Sequence, residues 1–499
     1  MSYLHGAYGT VQTTGYRSAD TGNSAIVYVG TAPVHNLENG YKNVNVPIAV
    51  NNMAEAMKYF GYSDDYAKYT LCEAMRVHFE LNGVGPLVLI NVLDPTKAAH
   101  KSAQATTTSK TPVNGRIVLN EAESIIVDTL TVTAGSGSEA EEKEKGVDYS
   151  VKYDTDKQTL TIAELTAGAL GTDALTISYY TINATGVTAD DVIGSTDNFG
   201  QNKGVYCVKD VYQLTEYVPA YIGAPGFSSI PAVHRAMHAV CENINGHWNA
   251  YMYADLPLVD NSTPLTFDTA VTYKNDNGYV YPNETVFFPM AEGIDGRKYH
   301  ISVLAAANLQ KLLVAQDGIP YRTASNTESA IIKKLYLTDT NAGRVFTEDL
   351  VTEKLNKNGI ASAAFVGGRW AIWGCHSAEY SQDDATDINV AETNMMMLYY
   401  ISNDFQTRRA ADVDKPMTRN DLMSIISEEQ MRLDALISMG ALTYGRVALN
   451  AEAQANSDIM KGDYSFTFDI TTTPLARSLT AIVNWTDQGF VTYFETLTI

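Results

Sequence analysis

Positive charge is scarce in this 499-residue chain: 35 Lys and Arg face 57 Asp and Glu, a formal net charge of −22. Phosphate backbones are bound by basic surfaces that release counterions, so this balance argues against nucleic acid as the main partner, though not against a local basic patch. Cysteine is scarce too. Cys72, Cys207, Cys241 and Cys375 are widely spread with no CxxC pair, which indicates neither a disulfide framework nor a thiolate zinc site and fits folding in a reducing cytoplasm. No apolar run approaches the length of a membrane span. The opening MSYLHGAYGTVQTTG lacks the basic start and apolar core of a secretion signal, which argues against export by that route. A GxxxxGK[ST] loop for nucleotide phosphates is also missing.

What is present is a well-patterned globular chain. Hydrophobic residues make up 45%, and the length suggests three or four domains of about 100–150 residues. Residues 1–20 show no sustained period and read as an extended arm. From 21 to 96, the buried run SAIVYVGTA, a helix from about Asp65 with Leu71, Ala74, Met75 and Phe79 on one stripe, and the run PLVLINV form a strand–helix–strand unit. Between 97 and 202 the character changes to short alternating segments (SIIVDTLTVTA, DYSVKY, TLTIAEL, ALTISYYTI) separated by turn-like stretches. This predicts an antiparallel β-sandwich inserted into the α/β domain, with the acidic run Glu139 to Glu144 at a hairpin tip. The α/β pattern resumes over 203–360, where SSIPAVHRAMHAVCENING offers a serine cap, an early proline and a stripe of Val233, Met237, Val240 and Ile244. Residues 361–487 carry Met- and Leu-rich helices near 392–408 and 419–439, then DYSFTFDITTT; the last dozen residues, 488–499, alternate like a strand.

Several residues imitate functional sites. In WAIWGCHSAE, Cys375, His376 and Glu379 suggest a thiol nucleophile with base and acid, but neighbours on a strand point to opposite faces, so His376 is badly placed to deprotonate Cys375. His234, His238 and Cys241 share one helix face, yet the metalloprotease pattern requires glutamate where Arg235 stands, and an arginine repels the metal; a packed helix flank is the plainer reading. PGFSS (225–229) resembles a nucleophile elbow only weakly, since Ile230 occupies the second glycine position and a helix cap explains the serines. His78 reads as a satisfied core histidine, and Met395 to Met397 as adaptable packing. Adjacent Arg408 and Arg409 could meet a negatively charged partner or simply close a helix favoured by its dipole; both readings stay open. No catalytic, cofactor-binding or metal set is assigned.

The order of these pieces resembles the tail sheath proteins of contractile-tailed bacteriophages and related injection systems. HGAYGTVQTTG is similar to an HGVY-like opening of the sheath arm, GVYCVKDVYQLTEYVPAYIGAPGFSSIPAVHRAM to the subtilisin-like domain, and DGIPYRTASNTE to a P-Y-x-S-P-S-N-like segment in which Thr323 and Ala324 depart from the usual residues. NGIASAAFVGGRWAIWGCHSA with NMMMLYYISNDFQTRR resembles the C-terminal module. The resemblance covers nearly the full chain outside the 97–202 insert. It implies an α/β and α+β multidomain fold: a subtilisin-like α/β domain lacking the protease triad, an inserted sandwich, and a C-terminal module (361–487) facing an inner tube. It further implies a non-enzymatic subunit that needs no cofactor and polymerises as hexameric rings in a helical sheath, with the tube, baseplate and tail terminator proteins as partners. The subunit would neither bind nucleic acid nor insert in a membrane. It would reside in a virion tail or contractile particle assembled in the bacterial host cytoplasm. Arm contacts are then expected at Tyr3, His5, Tyr8 and Val11 and at Phe490, Val491, Tyr493 and Phe494, and an inner-tube contact at Arg408 and Arg409. The competing readings are a hydrolase on the α/β domain and an acidic surface or lattice protein with an Ig-like domain.

Overall fold

The computed structural model describes residues 24–135, 140–338, 344–382, 391–450 and 461–490. The chain divides into two compact units, 1–415 and 416–499.

The first unit is built on one eight-stranded sheet. Its opening segment supplies β1 (Ser24–Gly30), β2 (Ile48–Val50), α1 (Met53–Phe60), α2 (Thr70–Met75) and β3 (Leu87–Asn91). α1 starts where Asn52 accepts the N–H of Glu55 and stops at Gly61. α2 begins at Thr70, later than the apolar stripe suggested, because Tyr69 and Lys68 close a turn onto Asp65. It continues as a π-helical stretch, Arg76–Asn82, capped by left-handed Gly83. β1 alternates between two cores: Ile26 and Tyr28 join the cluster on one face, Ala25, Val27 and Val29 the cluster on the other. A strand buried on both faces must read as a continuous apolar run.

The insert follows. β4 (Thr106–Lys110), β6 (Thr131–Ala134), β7 (Glu141–Lys143) and β10 (Leu175–Tyr179) form a sheet in the order β4-β10-β6-β7, and β5 (Arg116–Leu119), β8 (Tyr149–Asp154) and β9 (Thr159–Glu164) form a second, β5-β9-β8. Both are antiparallel. Inward residues such as Ile117, Leu119, Val132, Leu160, Ile162 and Ile177 make a separate core, the packing expected of a sandwich. Glu141–Lys143 is an edge strand on β6, not a hairpin tip; its charges keep that edge from pairing further.

Beyond the insert come α3 (Ala189–Ile193), α4 (Val211–Thr215), β11 (Val218–Gly223), α5 (Pro231–Cys241), β12 (Tyr251–Asp255), a β13–β14 ribbon (Val259–Asp260, Thr263–Pro264), α6 (Phe267–Asp276) and β15 (Glu284–Phe287). A small sheet of β16 (Met290–Gly293), β17 (Lys298–His300) and β18 (Ile332–Tyr336) surrounds α7 (Ile301–Ala315) in sequence, and α8 (Glu348–Lys354), β19 (Ile360–Val366), β20 (Arg369–Trp373) and α9 (Glu392–Arg409) complete the unit. The serines before α5 do not cap it: Ile230 is the N-cap residue and Pro231 the first helical residue. Its predicted stripe is buried as a block. The main sheet runs β2-β3-β1-β11-β12-β15-β19-β20. All pairs from β3 to β19 are parallel, and both edge strands are antiparallel. Successive strands lie on opposite sides of β1, so the order reverses there, as in a doubly wound sheet.

The second unit is thinner. α10 (Arg419–Ser438) begins in a capping box of Thr418 and Asp421 and packs through Ile425, Leu433 and Leu436 near a hairpin of β21 (Leu442–Leu449) and β22 (Phe466–Thr472). No described helix is long and apolar enough to cross a membrane.

Candidate functional site

Doubly wound sheets bind ligands at the strand carboxyl ends where the order reverses, here between β1 and β11. That crevice is filled. Thr70 and Thr31 exchange backbone-to-hydroxyl hydrogen bonds (3.1 and 3.3 Å), and the Thr31 hydroxyl donates to the Lys68 carbonyl (2.7 Å). A Cβ on Gly30 would lie 2.3 Å from Thr70 Oγ1 and one on Gly226 3.0 Å from its methyl. Glycine at both positions lets the threonine seal the gap.

The sequence's apparent catalytic sets are occupied otherwise. The His376 ring stacks on Tyr380 at 3.8 Å, the Cys375 carbonyl accepts the N–H of Glu392, and Glu379 is exposed. Gly374 (φ 127) is a tight passage: a Cβ there would meet Asn356 at 2.7 Å and Ala361 at 2.9 Å. Ser228 is buried, its hydroxyl accepting the N–H of Asp255 (3.0 Å). His234 sits 2.5 Å from Glu284, both fully buried, under Tyr279 (3.8 Å), while His238 stacks on Tyr281 at 3.4 Å. Burial depresses His238, with Glu242 opposing. Among the described residues no group of three or more His, Cys, Asp or Glu is arranged to hold a metal ion. His78 is the core histidine the pattern suggested: it bridges Tyr28 (3.0 Å) and Gln310 (2.6 Å), and burial pushes its pKa down to about 4. The neutral ring donates from Nδ1 to the Gln310 carbonyl and accepts the tyrosine hydroxyl at Nε2.

Sequence reading missed one cluster at the strand ends. Ser302 donates to Asp255 (2.5 Å), while Glu73 takes both the backbone N–H (2.5 Å) and the ring Nδ1 (2.7 Å) of His300. Burial opposes the charge on His300, but Glu73 more than offsets it and raises its pKa to about 9. Burial also raises Asp255, with His300 opposing. Serine and histidine each bond their own carboxylate, so the hydroxyl has no base to deprotonate it. A second missed hub is Glu392, buried at the first turn of α9, which accepts the Thr285 hydroxyl (3.0 Å) and that of Thr323. Burial raises its pKa, and the helix dipole partly compensates. The only signal for either hub was an acid at an element boundary.

At the opposite end of the sheet, where β1 and β11 begin, lies a cleft of about 280 Å³ lined by Ser24, Tyr221, Asp317, Tyr399, Tyr400, Asp404 and Arg408, among others. Arg408 reaches Asp404 through two nitrogens (3.0 and 3.1 Å), one turn earlier on α9, and Arg409 reaches Asp412 at 3.4 Å. Both guanidiniums thus have acids of their own chain beside them.

Tyr3, His5, Tyr8 and Val11, like Val491, Tyr493 and Phe494, lie outside the described residues. Of the expected C-terminal strand only Gln488–Phe490 is described, and it forms a helical turn, Phe490 N–H bonding to Asp487. The preceding chain is more telling. From Arg477 to Phe490 every residue is exposed, with Leu479 at 91%, Val483 at 92% and Trp485 at 81%. The hairpin beside it has two edges. On β21 the Gln430 amide donates to the Gly445 carbonyl (3.1 Å) and accepts the Val447 N–H (3.1 Å), filling one stretch of edge as a neighbouring strand would. On β22 no second strand pairs with the outer edge among the described residues.

No protein-family profile matches the chain. Over 260 residues it is 26% identical to the tail sheath protein of Burkholderia phage BcepMu, a match that covers 52% of this chain and 49% of that protein. The match thus spans about half the length of that relative. Two solved structures share the fold nearly end to end. A chain of the anti-feeding prophage baseplate superposes with a TM-score of 0.56 at 12% identity, over 97% of this chain and 100% of that one. A chain of the contracted PVC sheath complex, an extracellular contractile injection system, does so at 0.53 and 11%, over 98% and 99%. In sequence and in fold, the chain is similar to sheath proteins of contractile particles.

Proposed function

We propose, starting from that similarity, that this chain is the structural subunit of a contractile tail sheath: a non-enzymatic protein that polymerises helically around an inner tube and contracts to drive the tube through a cell envelope. The observation that carries the reading is likeness over almost the whole fold, joined to a sequence match with a tail sheath protein. Subunits would form six-fold rings, meet tube, baseplate and terminator proteins, and reside in a virion tail or contractile particle assembled in the host cytoplasm. The finer domain description, a subtilisin-like α/β domain with an inserted sandwich (97–202) and a C-terminal module (361–487), belongs to the same proposal.

Terminal segments would link subunits by β-augmentation, in which backbone hydrogen bonds to a neighbour's sheet edge supply affinity. The exposed apolar run through Leu479, Ile482, Val483 and Trp485 supports this reading, and moves the start of the C-terminal arm upstream of residue 488. Because Gln430 already occupies part of the β21 edge, the favoured acceptor is β22. Such head-to-tail contacts propagate instead of closing, and contraction would be a change between two packings of rigid bodies. A contact of Arg408 or Arg409 with an acidic tube would compete with Asp404 and Asp412, so it is proposed as a minor one. The test is electron microscopy of the purified chain: hollow helical tubes are expected, and removal of 474–499 should abolish them while leaving a folded monomer. Normal tubes from the truncated chain would overturn strand donation.

A further inference from the structure

The cleft at the start of β1 has a chemistry opposite to that expected of an arginine site. Its walls offer two carboxylates, Asp317 and Asp404, against the single guanidinium of Arg408, together with the rings of Tyr221, Tyr399 and Tyr400. Asp317 is exposed on its wall. Aromatic faces beside carboxylates recognise cations, above all the flat guanidinium group, which stacks and forms ion pairs at once. Ser24 lies on the rim, so residues 1–23 leave the fold beside this cleft. Arg17 is the sole Lys or Arg in that segment. Seven residues separate it from Ser24 in sequence, a span of up to about 24 Å. The intervening SADTGN is rich in the residue types that make turns.

We propose that this cleft is a guanidinium pocket for the chain's own N-terminal segment, filled by Arg17, which parks the arm on its own subunit until a neighbour takes it. The idea rests on reading residues 1–20 as an inter-subunit arm, but it is tested on the unassembled chain, so tube formation can succeed or fail independently.

The experiment pairs Arg17→Cys with Asp317→Cys in a Cys375→Ser background, where the other cysteines are buried, and treats the dilute full-length chain with a short bis-maleimide. A cross-linked monomer is expected, lost in urea and absent from either single variant. Covalent dimers would mean that a second copy supplies Arg17, and would overturn parking in cis, as would no cross-link at all. Native-state trypsin cleavage after Arg17 gives a second readout in lightly altered protein. It should run about threefold faster in Asp317→Asn than in wild type, the size expected of one exposed charge pair; equal rates would overturn the proposal.

Discussion

The two units of this chain solve the edge problem of β-structure in contrary ways. The large sheet of the first unit ends on one side in β20, whose outer side takes backbone hydrogen bonds from Asn326, Thr327 and Ser329, and its strands are buried on both faces. The second unit has a hairpin, one helix and an exposed apolar tail. A lone two-stranded hairpin is marginal in water, and an open edge invites another chain. The contrast teaches that folding information is concentrated in residues 24–415 and association information in the last 75 or so.

The comparison can be broken most severely by deleting residues 474–499: assembly should vanish in electron micrographs while the main thermal transition stays in place. Next in size, Leu309→Ala in the fully buried α7 should cost about 2–5 kcal/mol in denaturant unfolding, whereas Met431→Ala on the exposed face of α10 should stay within about 0.5 kcal/mol. A pH series is third. His300 is raised to about 9 from its ordinary value, so its contribution is fully present below about 6.5 and is lost as pH rises through 9. Stability should therefore fall by roughly 2 kcal/mol between pH 6 and 10, and His300→Gln should flatten that slope. Asp255, raised by burial, pushes in the same direction at lower pH. Smallest of all, Arg408→Ala should change unfolding stability by no more than about 1 kcal/mol; a much larger loss would make the last turn of α9 a structural hub.

Legibility followed periodicity. The runs at 24–30 and 87–91 announced themselves as buried strands because a sheet covered on both faces leaves no polar position to break the run. The stripe of Val233, Met237, Val240 and Ile244 was legible for a similar reason, yet the cap before it was misread, since serine has a second use: Ser228 holds Asp255 instead. The insert's alternation gave a sandwich, but Glu141–Lys143 read as a tip because charged edge strands look like loops. The site was less readable. His234 and Glu284 are 50 residues apart and meet at 2.5 Å, and no local pattern encodes that meeting.

By itself the sequence determined the acidic character, the succession of α/β, all-β and helical stretches, and the resemblance carried by motif order, because composition and period are local properties. Tertiary structure alone decided that Thr70 seals the ligand crevice, that Arg408 stands in a cleft with more carboxylates than guanidiniums, and that β22 keeps the open edge while Gln430 covers part of β21. Each of these depends on groups brought together by chain crossings, where desolvation and hydrogen-bond geometry set the outcome.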